Sequence, residues 1–277
     1  MDNKVWLITG ISSGIGHALA TEVMAKGDFV IGTFRKEAQV EAFNTANAGK
    51  GHAILLDVTD FTSMEKHIAM LSQQYGRIDV LVNNAGYGLA GAIEETSIAE
   101  TRALFEANFF GALKLTQEVL PLMRQQKQGH IVQISSHGGF KAFPGFGMYN
   151  ASKFALEGFS EALAAEVAPL GIKVSIVEPG PFRTKFAGSG FVLAEKAIED
   201  YNGTAGLFRQ KIKGVDGIQE GDPAKAASAI YYTVQQEKAP LRLPLGKIAL
   251  GTLNAKLESV KNDIEASRAL AEGAVFL

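Results

Sequence analysis

Three glycines within seven positions, Gly10, Gly14 and Gly16, constrain this chain more than any other feature. They follow Lys4 to Thr9, which reads as a short buried strand. They precede Ile15, Leu19 and Val23, whose four-residue spacing is helical. A chain that passes from strand to helix through glycines can bring its backbone close to a bound pyrophosphate, and the helix N-terminus offers that anion free amides and partial positive charge. Ser12, Ser13 and Ile15 belong to the same cradle. A plain turn explains one glycine comfortably and three less well, so the stretch is read as a phosphate-binding turn. Gly27 then closes the helix.

The rest of the chain repeats this alternation. Phe29 to Thr33 forms a second strand, followed by Phe34, Arg35 and Lys36. In a dinucleotide fold this position meets the adenosine ribose, where an acidic side chain prefers a free 2′-hydroxyl. Here the acid is missing and two cations stand instead, which favours NADP(H) over NAD(H); the alternative is two ordinary solvated charges. Ala53 to Leu56 is the third strand, with Asp57 and Val58 at its carboxyl end, and Met64, Ile68, Leu71 and Tyr75 mark a helix after it. Ile78 to Val82 runs into Asn83, Asn84, Ala85 and Gly86 at the ligand edge of the sheet. Ser97 and Glu100 form a capping box for a helix carrying Leu104, Phe105, Asn108, Leu115 and Leu120. Asn108 is polar in apolar company, and is either satisfied structurally or kept for a bound water.

Ile131 to Ser135 reads as a buried strand ending at Ser136, and a helix that opens with Tyr149 and Lys153 stops at Pro169. Ile172 to Val177 is the sixth strand, running into Glu178, Pro179 and Gly180. Asp222-Pro223 starts a helix to about Glu237, and Leu241 to Leu245 is an edge strand. Leu250, Leu253, Leu257, Val260 and Ile264 then form an apolar helical face that must dock on this domain or on another subunit. Strands and helices alternating with short joins define an α/β fold, a Rossmann-like doubly wound parallel sheet of about seven strands with helices on both faces. With 47% hydrophobic content the chain is expected to form one domain over residues 1–277.

Tyr149 and Lys153, four residues apart, share a helix face. A phenol titrates near pH ~10, so it works as an acid or base at neutrality only if a nearby cation stabilises its phenolate. Lys153 can be that cation. Ser136, at a strand's carboxyl end, can hold a substrate oxygen by hydrogen bonding while Tyr149 moves a proton. That pairing suits the interconversion of a carbonyl and an alcohol.

Charge narrows the partners. Lys+Arg 27 against Asp+Glu 29 leaves −2 with no like-charge block, which argues against nucleic acid and anionic membrane and for a small molecule. Zero cysteines exclude disulfides and thiolate metal sites, and the five histidines have no metal-like spacing, so no metal is expected. Periodic structure begins by Val5, and no run of about 18 uncharged apolar residues occurs, so neither a signal peptide nor a membrane span is expected. Cytoplasm is the expected compartment.

From Val5 to about Thr184 the chain resembles the short-chain dehydrogenase/reductase family in its shorter subgroup. The likeness rests on Thr9-Gly10-x-x-x-Gly14-Ile15-Gly16, Asn83-Asn84-Ala85-Gly86, Asn108, Ser136, Tyr149-x-x-x-Lys153, and Pro179-Gly180 followed by Thr184. The resemblance implies that Tyr149 is the acid/base, that Ser136 holds the substrate oxygen, and that Lys153 lowers the tyrosine pKa and bonds the nicotinamide ribose. It implies a water held by Asn108, adenine contacts at Asp57 and Val58, and cofactor contacts along Asn84, Ala85, Gly86, Pro179 and Gly180. Thr184 would bond the carboxamide. Ser13 departs from NADP-preferring members that carry a cation there, so the NADP reading leans on Arg35. Family members are commonly dimers or tetramers, and a homo-oligomer is expected, although the long tail over residues 247–277 departs from the commonest tetramers.

The expected activity is hydride transfer between NADP(H) and a carbonyl or secondary alcohol. Sugar-nucleotide epimerases share the tyrosine and lysine but space their glycines differently and add a domain. A non-catalytic cofactor-binding sensor or scaffold of the same fold is the alternative from another class. Residues 184–221 form a long, glycine-broken connection with Phe186, Phe191, Leu193, Tyr201, Leu207 and Phe208, expected to be a substrate lid. Facing it, Tyr87, Phe140, Phe143, Phe146 and Met148 would complete an apolar pocket for a bulky lipophilic ketone or alcohol, in the manner of hydroxysteroid-dehydrogenase-like members.

Overall fold

The computed structural model describes residues 3–188 and 190–276. Met1, Asp2, Ser189 and Leu277, which the expected domain, lid and tail ranges include, lie outside the described residues. The chain runs β1 (Val5–Ile8), α1 (Gly14–Ala25), β2 (Phe29–Phe34), α2 (Glu37–Ala46), β3 (Gly51–Leu55), α3 (Phe61–Tyr75) and β4 (Val80–Asn83). It continues through β5 (Gly88–Ala90), α4 (Ile98–Phe105), α5 (Gly111–Gln126), β6 (Gly129–Ile134), α6 (Gly147–Val167) and β7 (Ile172–Pro179). The last elements are β8 (Phe191–Leu193), α7 (Leu207–Gly214), α8 (Pro223–Gln235), β9 (Arg242–Leu245) and α9 (Lys247–Glu272).

Seven strands pair in parallel in the order β3-β2-β1-β4-β6-β7-β9. Successive residues of a strand point to opposite faces, and both faces here are covered, so the strands read as unbroken apolar runs. Trp6, Ile8, Val30 and Val82 pack with Leu19 and Val23 of α1 and Ile230 of α8. Leu7, Ile31, Leu81 and Ile131, pointing the other way, pack with Leu71 of α3, Leu115 of α5 and Leu163 of α6. The strand order reverses between β1 and β4, and the loops that follow them flank the resulting crevice, where a doubly wound sheet takes its ligand.

The expected caps are present: Asp222 accepts from the Ala224 amide at 2.9 Å, and Ser97 and Glu100 form the reciprocal capping box. Three features differ from the sequence reading. β5 and β8 form a separate two-stranded parallel sheet, each too short to show a period. The helix expected through Asn108 is interrupted by a π-turn over Glu106–Phe110, which turns Asn108 into the interior. On α9 only Ala249 and Leu253 are buried, while Leu257 and Ile264 remain 54% and 55% exposed, so past Leu253 the apolar stripe does not dock on its own chain. No helix among the described residues is long and apolar enough to cross a membrane.

Candidate active site

The glycine turn is shaped by its backbone. Gly10 and Gly14 have φ of +69° and +65°, a region that side chains disfavour. A Cβ on Gly16 would lie 2.3 Å from Asn84 Nδ2 and 2.8 Å from the Gly10 carbonyl. Asn84 Nδ2 donates to the carbonyls of Thr9 (2.8 Å) and Gly10 (3.1 Å), while Thr9 Oγ1 accepts from the amides of Asn84 (2.9 Å) and Ala85 (3.0 Å). These bonds staple the loops after β1 and β4 together across the switch point. Ser13 does not cap α1 with its side chain, which leaves first-turn amides for an anion. The cleft there is lined by Ser12, Ser13, Gly14 and His17 together with Arg183, Thr184 and Lys185, and by one carboxylate, Asp216, beside Gly217. This glycine-tight, uncapped and cation-flanked turn fits the diphosphate of a dinucleotide. Arg183 and Lys185 had no sequence signal, because only the path of β7 brings them opposite α1.

The other expected contacts lie along the same sheet edge. Ile15 is half-buried against the core beside β1, and Arg35 and Lys36 are exposed at the end of β2. Asp57 is exposed and accepts from the amide and hydroxyl of Thr59, whereas Val58 is buried, its carbonyl 2.7 Å from where a Cβ on Gly111 would stand. Pro179 ends β7, and the Gly180 amide donates to the Leu245 carbonyl at 2.9 Å. That bond aims the chain back to Thr184, which faces Gly14 across the cleft.

The fold brings Ser136, Tyr149, Lys153 and Asn108 together. Lys153 Nζ lies 5.9 Å from the centre of the Tyr149 ring and donates to the Ile134 carbonyl at 2.9 Å. Ser136 Oγ accepts from the Gly138 amide at 3.0 Å, and Ser136 acts to lower the proton affinity of the Tyr149 phenol. Burial pushes the Tyr149 phenol far above its ordinary value, against the pull of Ser136. Burial likewise brings Lys153 down to about 8, opposed by the negative charge of Glu157. Desolvation outweighs the pull of Ser136, so Tyr149 holds its proton at neutrality. Asn108 Oδ1 accepts from the Tyr87 amide at 3.0 Å, and its Nδ2 donates to the Tyr87 carbonyl at 2.9 Å and to Ser152 Oγ at 3.2 Å. Of the two destinies read for Asn108, the protein itself satisfies its amide. Gly86 leaves room for this arrangement, since a Cβ there would sit 2.8 Å from Asn108 Oδ1 and 3.7 Å from Lys153 Nζ.

Aromatic rings roof the tyrosine. Phe146 stacks on it at 4.0 Å between centroids, Phe186 lies at 5.8 Å, and Phe191 and Phe208 pack on Phe146. Tyr87, Phe143 and Met148 complete this cluster with Leu89 and Leu104, which the sequence did not single out. Phe140 lies elsewhere, its ring 4.9 Å from the Arg242 guanidinium, while Leu207 is exposed and Tyr201 bonds Glu94 at the surface. The segment carrying Phe186 and Phe191 is held by β5–β8 pairing and by Arg209, which bonds the buried Glu95 at 3.0 Å. Glu95 also accepts from the amides of Ala92 and Ile198.

A doubly wound sheet with a phosphate turn at its switch point and a buried serine, tyrosine and lysine beside it defines a nicotinamide-dependent oxidoreductase. The sequence matches the family described as short chain dehydrogenase over residues 4–191. It is 38% identical over 251 residues to 3-ketodihydrosphingosine reductase of Bacteroides thetaiotaomicron, covering 90% of each chain. It is 42% identical over 249 residues to human retinol dehydrogenase 8, covering 85% of this chain and 79% of that one. Among solved structures, a short-chain dehydrogenase from Streptomyces avermitilis superposes with a TM-score of 0.93 at 45% identity over 100% of both chains. The protein ElxO with NADP bound matches at 0.73 and 26%, covering 90% of this chain and 99% of that one. The chain belongs to the short-chain dehydrogenase/reductase family and is an oxidoreductase acting on CH–OH and C=O groups.

A side chain at Gly16 displaces Asn84 Nδ2 from two carbonyls, each bond contributing about 1 kcal/mol. Gly16→Ala is therefore expected to weaken nicotinamide dinucleotide binding about 30-fold in a fluorescence titration. Gly158→Ala, where a Cβ meets nothing within 4 Å, serves as the unaffected control.

Proposed function

We propose that this chain is an NADP(H)-dependent reductase or dehydrogenase for bulky lipophilic carbonyls and alcohols, with Tyr149 as the group that moves the proton. The observation that carries this reading is the Tyr149 phenol, protonated, influenced by Ser136 and roofed by Phe146 and Phe186. When bound, the nicotinamide supplies or takes up hydride. In the reducing direction Ser136 and Tyr149 together hold the substrate oxygen, and Tyr149 passes its proton to it as negative charge develops. Lys153, the nearby buried cation, stabilises the phenolate left behind. Asn108 keeps the Tyr87 peptide in place beside Lys153. Tyr149→Phe keeps the ring packing and removes the proton, so kcat is expected to fall about 10²- to 10⁴-fold with cofactor affinity nearly unchanged. A variant retaining more than about a tenth of kcat would refute the assignment.

The preference for NADP(H) is supported by Arg35 and Lys36, exposed where the ribose of the adenosine half belongs, and by the NADP held in the ElxO structure. A charge-assisted contact to a 2′-phosphate contributes roughly 1.5 to 3 kcal/mol. Arg35→Ala should accordingly weaken NADPH by about 10- to 150-fold relative to NADH. Equal losses for the two cofactors would remove Arg35 from that role.

The substrate class is supported by the aromatic roof and by relatives named for 3-ketodihydrosphingosine and for retinol, both largely hydrocarbon. Each added methylene buried in such a pocket stabilises the bound substrate by up to about 0.8 kcal/mol, roughly fourfold. kcat/KM should rise along a series from acetone to bicyclic and polycyclic ketones. A flat profile, or preference for small polar ketones, contradicts the lipophilic assignment while leaving the chemistry standing.

A further inference from the structure

The face of α6 that carries Tyr149 and Lys153 continues, at the same spacing, into Glu157 and Glu161. Glu157 is 3% exposed. Its Oε1 accepts a hydrogen bond from Ser135 Oγ at 2.6 Å, and its Oε2 accepts from Arg242 Nη1 at 2.7 Å. Ser135 immediately precedes Ser136, and Ile134, whose carbonyl accepts from Lys153, immediately precedes Ser135. Two successive polar side chains of one helix face therefore grip two successive residues at the end of β6. The loop leaving Ser136 closes onto the same carboxylate: a Cβ on Gly139 would stand 2.2 Å from Glu157 Oε1 and 2.4 Å from Ser135 Oγ.

Four charged groups surround Glu157, and the loop that closes onto it carries His137, whose proton affinity burial lowers. Lys153 and Glu161 lie on α6, Glu178 on β7 and Arg242 on β9, where Arg242 also bonds Glu178 and reaches Glu161 at 2.5 Å. An unpaired buried carboxylate is strongly disfavoured, so the guanidinium and the serine hydroxyl account for its survival here. Burial pushes the carboxyls of both Glu157 and Glu178 upward, while Arg242 opposes the shift at each and the Ser135 hydroxyl further favours the charged form of Glu157.

We propose that Glu157 is a positioning residue for the proton transfer: anchored by Arg242, its carboxylate locks Ser135, and with it Ser136, against the Tyr149–Lys153 face of α6. Its buried negative charge also favours the proton on both Lys153 and Tyr149. The inference rests on the reading of Tyr149 as proton donor. Carbonyl reduction needs both groups protonated. Removing the charge weakens the hold of each on its proton, so the alkaline limb of the reduction profile moves to lower pH.

The test is NADPH-dependent reduction of decalone, with kcat and KM measured separately across pH for the full chain and its variants. Glu157→Gln is expected to lower kcat about tenfold, to leave KM within about twofold, and to shift the alkaline limb down by about half a pH unit or more. Glu157→Asp, which restores the charge, should return the limb towards its original position. Ser135→Ala, which keeps the charge, should lower kcat and leave the limb in place. A Glu157→Gln limb coincident with the parent, or full kcat in Ser135→Ala, overturns the proposal. The serine arm still decides the matter if the glutamine variant does not fold. Tyr149→Phe, run alongside, separates the two readings. Retained activity there sinks the proton-donor assignment itself, whereas an inactive phenylalanine variant with an unshifted Glu157→Gln sinks only the role of Glu157.

Discussion

Parallel strands cannot be joined by tight turns, so each crossover helix returns the chain to the edge where the previous strand began. The loops that follow β1, β2, β3, β4, β6 and β7 are therefore all delivered to one side of the sheet. Every functional group described above depends on that constraint. The glycine turn, Arg35, Asp57, Asn84, Ser136 and Thr184 are far apart in sequence and become neighbours because they follow strands of one parallel sheet. Reversal of the order between β1 and β4 opens the crevice, and the Thr9–Asn84 bonds fix its two lips at one separation.

Within that frame the chemistry is set by desolvation. Tyr149 and Lys153 are both buried, and burial alone moves their proton affinities in opposite directions, the phenol up and the ammonium down. A dry site strengthens each remaining interaction, so the pull of Ser136 and one buried carboxylate at Glu157 count for more than they would in water. The aromatic roof thus has two consequences. It presents apolar surface beside Tyr149, and it removes the water that would otherwise screen Tyr149 and Lys153.

The roof itself is not part of the parallel sheet. Phe186 and Phe191 reach Tyr149 because β8 pairs with β5 and because Arg209 satisfies the buried Glu95 from the far end of the same excursion. The architecture of a doubly wound sheet says nothing about such an excursion, so the rings over Tyr149 come from a segment attached to the sheet rather than from the sheet itself.

Much of this was legible in the amino-acid order, because local periodicity and turn chemistry act over a few residues. The strand–glycine–helix start, the capping box at Ser97, the Tyr149–Lys153 helix face and the aromatic content of the Thr184–Asp222 connection all follow from such short-range rules. Other features depend on which distant segments meet. β5 and β8 are strands only because they find each other. Asn108 is satisfied by the Tyr87 peptide only because a π-turn aims it inward. Glu157, Glu178 and Arg242, 85 positions apart at the extremes, look like ordinary charges until three elements bring them together and bury the two carboxylates beside the helix of Tyr149 and Lys153. The sequence by itself determined the sheet, the cofactor turn and the chemical groups. Tertiary structure alone decided their solvation and their partners, because burial and long-range hydrogen bonding belong to the packed chain and not to any local stretch of it.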